Sequence, residues 1–165
     1  MKALIIYFTS LGRSKKTSAV IGSAMTNYDV DYFPFILTGT FGMKVSIQNQ
    51  HTKGDFSTIE QELSELDKIK QDYDLIIFGM PTYGDYPPSA FYEIVKRVDI
   101  KEQKVAIFTT CSITGKKTLE LMEKTVKEAG AIIIAQARFK GFFRPKLKQA
   151  FKFGQSINEA LAKEN

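Results

Sequence analysis

The chain becomes polar at residues 9–14, directly after an apolar run at residues 3–8. This stretch, Thr-Ser-Leu-Gly-Arg-Ser, combines three hydroxyl groups with a glycine and an arginine, and helix-compatible sequence follows it. Hydroxyl groups and amides at a helix N-terminus can bind an anion, because the helix dipole favours negative charge there. The turn therefore predicts a phosphate site. The alternative is an ordinary helix cap in which Ser14 accepts a backbone N–H.

Two further turns carry residue types suited to a planar ring. Residues 80–88 hold two tyrosines, three prolines and Gly84 after one apolar run, and residues 109–115 hold hydroxyl groups and Gly115 after another. Tyrosines supply flat surfaces, and small polar residues let backbone N–H groups reach the edge of a heterocycle. Together the three turns predict a mononucleotide site. For residues 80–88 the alternative is a proline-stiffened turn whose tyrosines rest on the core.

Five short apolar runs alternate with segments of helical spacing. Continuous runs rich in Ile, Val and Phe are typical of parallel strands that are covered on both faces. The sequence predicts strands at residues 3–8, 30–35, 75–78, 105–108 and 131–137. It predicts helices at residues 14–25, 58–70, 89–98, 116–129 and 145–161, with Pro88, Gly130 and Pro145 at their ends.

This alternation predicts a three-layer α/β sandwich around a five-stranded parallel sheet. Ligands bind such sheets outside the carboxyl ends of the strands, which is where the three turns are expected to lie. Residues 37–56 show little periodicity and receive no assignment. An irregular segment of that length is more often functional or disordered than structural.

The three turns, taken in order, resemble those of the flavodoxin family, and the resemblance covers essentially the full chain. Residues 9–14 resemble that family's phosphate loop, Ser/Thr-x-Thr-Gly-x-Thr, with Leu11 in place of the expected threonine. The resemblance implies a flavodoxin-like sheet in the order 2-1-3-4-5 and bound FMN. Its phosphate would be held within residues 9–14, and its ring would lie between residues 80–86 and 110–115, with Tyr83 and Tyr86 as stacking candidates. The residues expected at the cofactor are Thr9, Ser10, Leu11, Gly12, Arg13, Ser14, Pro81, Thr82, Tyr83, Gly84, Asp85, Tyr86, Thr110, Cys111, Ser112 and Gly115.

Length and composition limit the organisation of the protein. With 165 residues, 44% of them hydrophobic, the sequence predicts one domain over residues 1–165. No apolar run reaches the roughly 18 residues of a spanning helix, and the one after Lys2 is too short for a secretory signal. We therefore expect a soluble, cytoplasmic protein. The sequence has one cysteine, Cys111, and one histidine, His51. We therefore expect neither an intrachain disulfide nor a metal site built from these residue types.

Positive charge is concentrated near the C-terminus. The net charge is +5, and residues 138–152 contain six Lys or Arg side chains and no acid. Such a stretch predicts a docking surface for an acidic partner, and a solvated helix face is the alternative. We expect redox proteins as partners rather than nucleic acid.

Three functions fit these features. An FMN-dependent carrier that shuttles electrons between redox partners is favoured, because no Gly-x-Gly-x-x-Gly fingerprint for NAD is present. The alternative is an FMN-dependent NAD(P)H or quinone reductase, in which residues 37–56 could cover the site. The third is a binding module that has lost FMN. A receiver domain is excluded because the first strand ends in Thr9 and Ser10 rather than in an acidic pair.

Overall fold

The computed structural model describes residues 1–69, 73–141 and 146–162. Within them, five strands alternate with six α-helices. The strands are β1 (Lys2–Thr9), β2 (Asp29–Ile36), β3 (Leu75–Pro81), β4 (Lys104–Cys111) and β5 (Ile132–Lys140). The helices are α1 (Arg13–Ala24), α2 (Phe41–Thr52), α3 (Glu60–Leu66), α4 (Ala90–Arg97), α5 (Lys116–Glu128) and α6 (Leu147–Ala162).

The strands form one parallel sheet in the order β2-β1-β3-β4-β5, which confirms the predicted strand order and fold class. The central strands are buried on both faces, as their continuous apolar runs predict. One face packs against α3, α4 and α5, with Phe8, Phe78 and Ile94 in its core. The other packs against α1 and α6, with Ile5, Ile21 and Ile157. The molecule is therefore a three-layer sandwich.

The direction of winding reverses between β1 and β3. Strand β1 pairs with β2 on one side and with β3 on the other, so the connections that follow these two strands leave the sheet in opposite directions. Such a reversal leaves a crevice at the carboxyl ends of the strands. The three turns predicted to hold a ligand follow β1, β3 and β4, and they lie at this edge.

Helix α2 was not predicted. It lies within residues 37–56, and Thr40 begins it by accepting a hydrogen bond from the Met43 amide to its hydroxyl oxygen at 3.4 Å. No helical signal is present in residues 37–56 because α2 has no apolar stripe: of its residues only His51 is buried. A helix of this kind covers an edge of the fold rather than filling its core.

Two other predicted helices differ from the observed ones. The helix predicted at residues 58–70 is shorter, with a 3₁₀ turn at Ser57–Ile59 leading into α3, and Lys70 lies outside the described residues. The last helix begins at Leu147, whereas Pro145, its predicted start, lies outside the described residues. None of the helices in the described segments is long and apolar enough to cross a membrane.

Helices α1 and α6 cross closely at Gly154. A Cβ at this position would lie 2.4 Å from the Ile21 carbonyl oxygen and 2.8 Å from the Ala24 Cβ. Real Cβ atoms do not approach backbone oxygen so closely, so glycine is required for the two helices to pack at this distance.

Candidate functional site

A cleft of about 290 Å³ opens at the carboxyl ends of β1, β3 and β4, beneath α2. It brings together most of the residues predicted from the three turns. Those that line it are Thr9, Ser10, Leu11, Arg13, Ser14, Pro81, Thr82, Tyr83, Thr110, Cys111 and Ser112. Helix α2 adds four residues that the sequence did not indicate, Phe41, Lys44, Val45 and Gln48.

The turn between β1 and α1 presents a helix N-terminus to the cleft. Gly12 has a φ of 78°, and its amide donates to the Thr9 hydroxyl oxygen at 3.0 Å, which folds the turn back on itself. Helix α1 has no side-chain cap and no acidic residue in its first turn. The first amides of a helix have no acceptor within the helix, so this end carries positive potential toward the cleft.

Ser14 does not cap α1, contrary to the alternative drawn from the sequence. Its hydroxyl is buried and pairs with the Thr110 hydroxyl at 3.0 Å, across the floor of the cleft. This contact joins the first turn to the end of β4. Ser14 therefore does not cap α1, and the N–H groups of the first turn remain able to donate to another acceptor.

Two cations hold the polar end of the cleft together. The Arg13 guanidinium donates to the Ser112 hydroxyl oxygen at 3.0 Å, and the Lys44 ammonium donates to the Ser10 carbonyl oxygen at 2.7 Å. Lys44 thereby ties α2 to the first turn. Because α2 has no periodic apolar face, nothing in the sequence pointed to Lys44 as a site residue.

Tyr83 supplies the aromatic surface of the cleft. Burial raises the pKa of its hydroxyl to about 12, while the nearby side chains of Ser10 and Gln48 act in the opposite direction. The hydroxyl is therefore neutral at physiological pH. The preceding residue, Thr82, is fixed to β4 through its amide on the Thr110 carbonyl oxygen at 3.0 Å and its hydroxyl on that of Thr109 at 2.9 Å.

Gly84 and Asp85 form the corner of a tight hairpin instead of lining the cleft. Both have positive φ, 56° and 67°, and Tyr83 and Tyr86 exchange two backbone hydrogen bonds of 2.8 and 3.0 Å. A two-residue loop of this kind, with glycine or aspartate at positive φ, is a type I′ turn. The Asp85 carboxylate then accepts from the Gly115 amide at 2.7 Å.

Asp85 therefore joins the second turn to the third. Its carboxylate also accepts from the Thr114 hydroxyl at 3.3 Å, at the N-terminus of α5. Gly115, with a φ of 94°, packs closely against the end of β4, since a Cβ at this position would lie 2.9 Å from the Cys111 Cβ. Gly12, Gly84, Asp85 and Gly115 thus shape the turns, whereas Tyr83 faces the cleft.

Tyr86 lies outside the cleft. Its ring is exposed, and the Lys117 ammonium lies 4.0 Å from the ring centroid and also donates to the tyrosine hydroxyl. Such a cation–π contact is worth about 0.5–1 kcal/mol at an exposed site. Of the two stacking candidates, Tyr83 is therefore the one positioned toward the cleft.

Cys111 lies in the wall of the cleft as a packing residue. It is buried, and burial raises the pKa of its thiol, although the charges of Arg138 and Lys140 oppose this effect. The neutral thiol is the form present at pH 7. A neutral thiol is a poor nucleophile, so the structure gives Cys111 no reactive role.

His51 fixes the C-terminal end of α2 to the core. Its Nε2 atom lies 3.1 Å from the Thr58 hydroxyl, and its ring contacts those of Phe8 and Phe56. Burial lowers the pKa of His51, and the nearby charge of Asp55 opposes this effect. The folded protein therefore favours the neutral ring.

The lowered pKa predicts a loss of stability in mild acid. The unfolded chain takes up a proton at His51 near pH 6.5, but the folded chain does so only at lower pH, so the stabilising contribution of His51 is complete above pH 6.5 and is lost as the pH falls through the folded-state value. The loss is at most about 1.4 kcal/mol per pH unit. Urea unfolding at pH 7.5 and 5.5 should show a larger loss for the native chain than for His51→Gln. Equal losses of unfolding free energy in the two chains would show that protonation of His51 is not the cause.

The edge of the sheet around the cleft is strongly cationic. We define the rim as residues 9–16, 40–45, 81–86, 110–117 and 138–141, all of which lie in the described part of the chain. Asp85 is the one acid in these segments, and it is already bonded to Gly115. The cations of the rim are Arg13, Lys15, Lys16, Lys44, Lys116, Lys117, Arg138 and Lys140.

The sequence matches no protein-family model and no curated protein. Solved structures do match. A flavodoxin from the domain Archaea is 17% identical with a TM-score of 0.64, and the match covers 98% of this chain and 99% of that one. Flavodoxin 1 from Bacillus cereus in its oxidised form is 17% identical with a TM-score of 0.60, covering 100% and 99% of the two chains.

A flavoprotein from Lactobacillus acidophilus NCFM, solved in complex with FMN, is 22% identical with a TM-score of 0.58. That match covers 83% of this chain and 92% of the other. These likenesses establish that the chain has the flavodoxin-like fold, as the strand order also shows. At such low identity they establish the fold alone.

Proposed function

We propose that this chain binds FMN in the cleft beneath α2 and uses it to carry electrons to and from an acidic redox protein. The observation that carries the proposal is the cleft itself, whose lining combines the positive N-terminus of α1 with the Tyr83 ring. It lies at the reversal of winding, where this type of sheet binds ligands. The FMN complex of the structural neighbour from Lactobacillus acidophilus supports the choice of ligand.

The polar end of the cleft fits a phosphate group. A phosphate monoester carries a charge of about −1.5 to −2 at neutral pH. The amides of the first turn of α1 would donate to it, and Arg13 and Lys44 would balance its charge. Ser10 and Ser112 add hydroxyl groups within the same lining. Among the residues that the structure describes, no carboxylate lines the cleft to oppose an anion.

The lining also fits a flat ring. Tyr83, Pro81 and Val45 belong to it and would flank the ring, and the neutral Tyr83 hydroxyl adds no charge to the cleft. FMN would supply the redox chemistry there, and the protein would tune its potential by charge and burial. The exposed side chains of Leu11 and Ile113 adjoin the polar lining residues and would border the ring at the surface.

The excess of positive charge on the rim is the reason for proposing an acidic partner. Five of its cations lie in the first turns of α1 and α5, where the helix dipole disfavours positive charge. Such an arrangement costs stability, which favours a functional role. A single phosphate balances no more than two of these charges, so the rim stays cationic when FMN is bound. A partner with an acidic surface would be steered toward it.

Electron transfer from a reduced, acidic [2Fe–2S] ferredoxin to the FMN-loaded chain tests this proposal. The rate is expected to fall about tenfold between 20 and 300 mM salt, because salt screens the attraction. The double variant Arg138→Glu/Lys140→Glu should lower the rate about tenfold at low salt. The double variant Lys68→Glu/Lys101→Glu, which changes the net charge equally but lies outside the rim, should leave it within about twofold. Equal effects of the two variants, or no effect of salt, would contradict the proposal.

A second candidate function is an FMN-dependent NAD(P)H or quinone reductase. One observation favours it: residues 112–115 bring no aromatic side chain to the third turn, so one side of the ring site could admit a substrate. Steady oxidation of NADPH by the FMN-loaded chain with a quinone acceptor, at a rate above that of free FMN, would favour this function. A rate equal to that of free FMN would favour the carrier.

A further inference from the structure

A second pocket of about 320 Å³ lies on the other side of Tyr83 from the cleft. It is enclosed by the C-terminal half of α2, the hairpin after β3 and the start of α4, and we call it the tyrosine pocket. It shares only the side chains of Tyr83 and Gln48 with the cleft. The residues that line it are Gln48, His51, Thr52, Tyr83, Tyr86, Pro87, Pro88, Ser89 and Tyr92.

The lining of the tyrosine pocket is neutral. In the described part of the chain, no Lys, Arg, Asp or Glu side chain belongs to it, whereas Arg13 and Lys44 line the cleft. Burial raises the pKa of Tyr92 as it raises that of Tyr83, so these two side chains are uncharged at pH 7. His51 is held in its neutral form beside Thr58. The Lys117 ammonium contacts Tyr86 but is not part of this lining, and it is already bonded to the tyrosine hydroxyl. An ion would therefore lose its hydration in the pocket without gaining a counter-charge from the lining, which favours an uncharged ligand.

The shape of the tyrosine pocket favours a flat molecule. Three tyrosine rings and two proline rings provide planar walls, and aromatic surfaces pack best against other rings. The pocket is also preformed: the type I′ turn fixes Tyr83 and Tyr86, and Pro87 and Pro88 are buried with fixed φ. A ligand would therefore bind without ordering a loop, which lowers the entropic cost of binding.

Polar groups are few, and they point to hydrogen bonding with a neutral ligand. The Gln48 side chain lies at the boundary with Tyr83, and Ser89 stands at the N-terminus of α4 without a side-chain cap bond. An amide and a hydroxyl can both donate and accept. A ring that carries carbonyl or hydroxyl groups would satisfy them.

We propose that the tyrosine pocket binds an uncharged, planar aromatic molecule of one or two rings that carries carbonyl or hydroxyl groups. The size follows from the volume, which lies at the small end of the roughly 300–1,000 Å³ that ligand sites span. The argument for this pocket does not rest on the assignment of FMN to the cleft or on electron transfer. It places a second ligand on the opposite side of Tyr83 from the proposed cofactor.

The experiment measures binding of 2,3-dimethyl-1,4-naphthoquinone to the oxidised, FMN-loaded chain by equilibrium dialysis. This probe is neutral, has two rings and two carbonyl groups, and carries no free quinone ring position for addition of the Cys111 thiol. Ser89→Phe places a ring inside the pocket without removing a helix cap, and it is expected to weaken binding at least tenfold. Ser156→Phe, on the exposed side of α6, is the matched control and should leave binding within twofold.

Binding that occurs in the FMN-free chain and disappears on FMN loading would place the probe in the cleft, and would overturn the proposal. Equal effects of Ser89→Phe and Ser156→Phe, or no binding to either form of the chain, would do the same. If Ser89→Phe does not fold, Tyr92→Leu removes one wall of the pocket and should weaken binding at least fivefold. If FMN does not bind, the probe can be tested on the FMN-free chain. Weaker binding of the probe to the Ser89→Phe variant than to the native chain would then still support the proposal.

Discussion

Replacing Arg13 with glutamine is expected to weaken FMN binding about 20-fold or more. Arg13 lines the polar end of the cleft, where its guanidinium is held on Ser112 at 3.0 Å. One positive charge at about 5 Å from a dianion contributes roughly 1.7 kcal/mol even at the dielectric constant of water. A shorter effective distance, or partial exclusion of water, would enlarge the loss. Flavin fluorescence during titration of the FMN-free chain measures it.

Two controls separate charge from structure in this experiment. Lys16→Gln removes the same charge from the same helix, but Lys16 is exposed and does not line the cleft, so its effect should stay below about threefold. Riboflavin, which lacks the phosphate, should bind Arg13→Gln and the native chain with similar affinity. If Arg13→Gln weakened riboflavin as much as FMN, Arg13 would be shaping the turn rather than binding the phosphate.

Replacing Gly154 with alanine is expected to destabilise the protein by about 1–2 kcal/mol. Helix propensity alone predicts the opposite, a gain of about 1 kcal/mol, because glycine is a poor residue within a helix. Packing outweighs this gain, since the new Cβ would meet the Ile21 carbonyl oxygen at 2.4 Å and backbone cannot rotate away as a side chain can. Overpacking of this kind typically costs 1–3 kcal/mol and occasionally more.

Urea unfolding followed by circular dichroism gives the free energy of unfolding for this comparison. Gln155→Ala, the exposed neighbour in α6, should change it by less than about 0.5 kcal/mol, since only propensity is altered there. An alanine at residue 154 that stabilised the chain would show that α1 and α6 do not pack as closely as described.

The sequence predicted the sheet because its strands are buried on both faces. Runs such as Ala-Leu-Ile-Ile-Tyr-Phe at residues 3–8 are continuous and apolar, and such runs are typical of the inner strands of parallel sheets. The edge strands were also found, although β2 and β5 are only partly buried. The largest differences in bounds lie at the carboxyl ends of β3, β4 and β5, each of which runs three residues beyond its predicted end. Strand order followed from the resemblance rather than from the pattern of the strands.

The sequence could not predict α2 or its part in the cleft. A helix becomes visible in a sequence when an apolar stripe repeats every three to four residues, and α2 buries only His51. Phe41, Val45 and Lys44 line the cleft because of where α2 lies in space, which no local pattern records. Residues 37–56 could be recognised only as irregular.

The roles of individual turn residues also depend on the three-dimensional structure. Gly84 and Asp85 belong to the predicted set, yet they form a type I′ corner whose carboxylate joins two turns. Tyr83 and Tyr86 could not be told apart in the sequence, because the hairpin alone decides which ring faces the cleft. Residue type predicted that the three turns would meet at one cleft, whereas backbone geometry decides which of their residues line it.

The cleft and the tyrosine pocket meet at Tyr83 and Gln48, so ligands at the two sites would not be independent. A ring in one site would restrict the side chains that form the wall of the other. Any change in the affinity for FMN caused by the aromatic probe must be matched by an equal change in the affinity for the probe caused by FMN.

Titration of the FMN-free chain with FMN and with riboflavin tests the central claim most directly. The claim is that the cleft binds a flavin by its phosphate at α1 and by its ring at Tyr83. FMN should bind one to one and at least about 100-fold more tightly than riboflavin, because two charge-assisted hydrogen bonds to the phosphate already contribute about 3 kcal/mol. Failure to bind FMN, or equal affinity for FMN and riboflavin, would contradict the account.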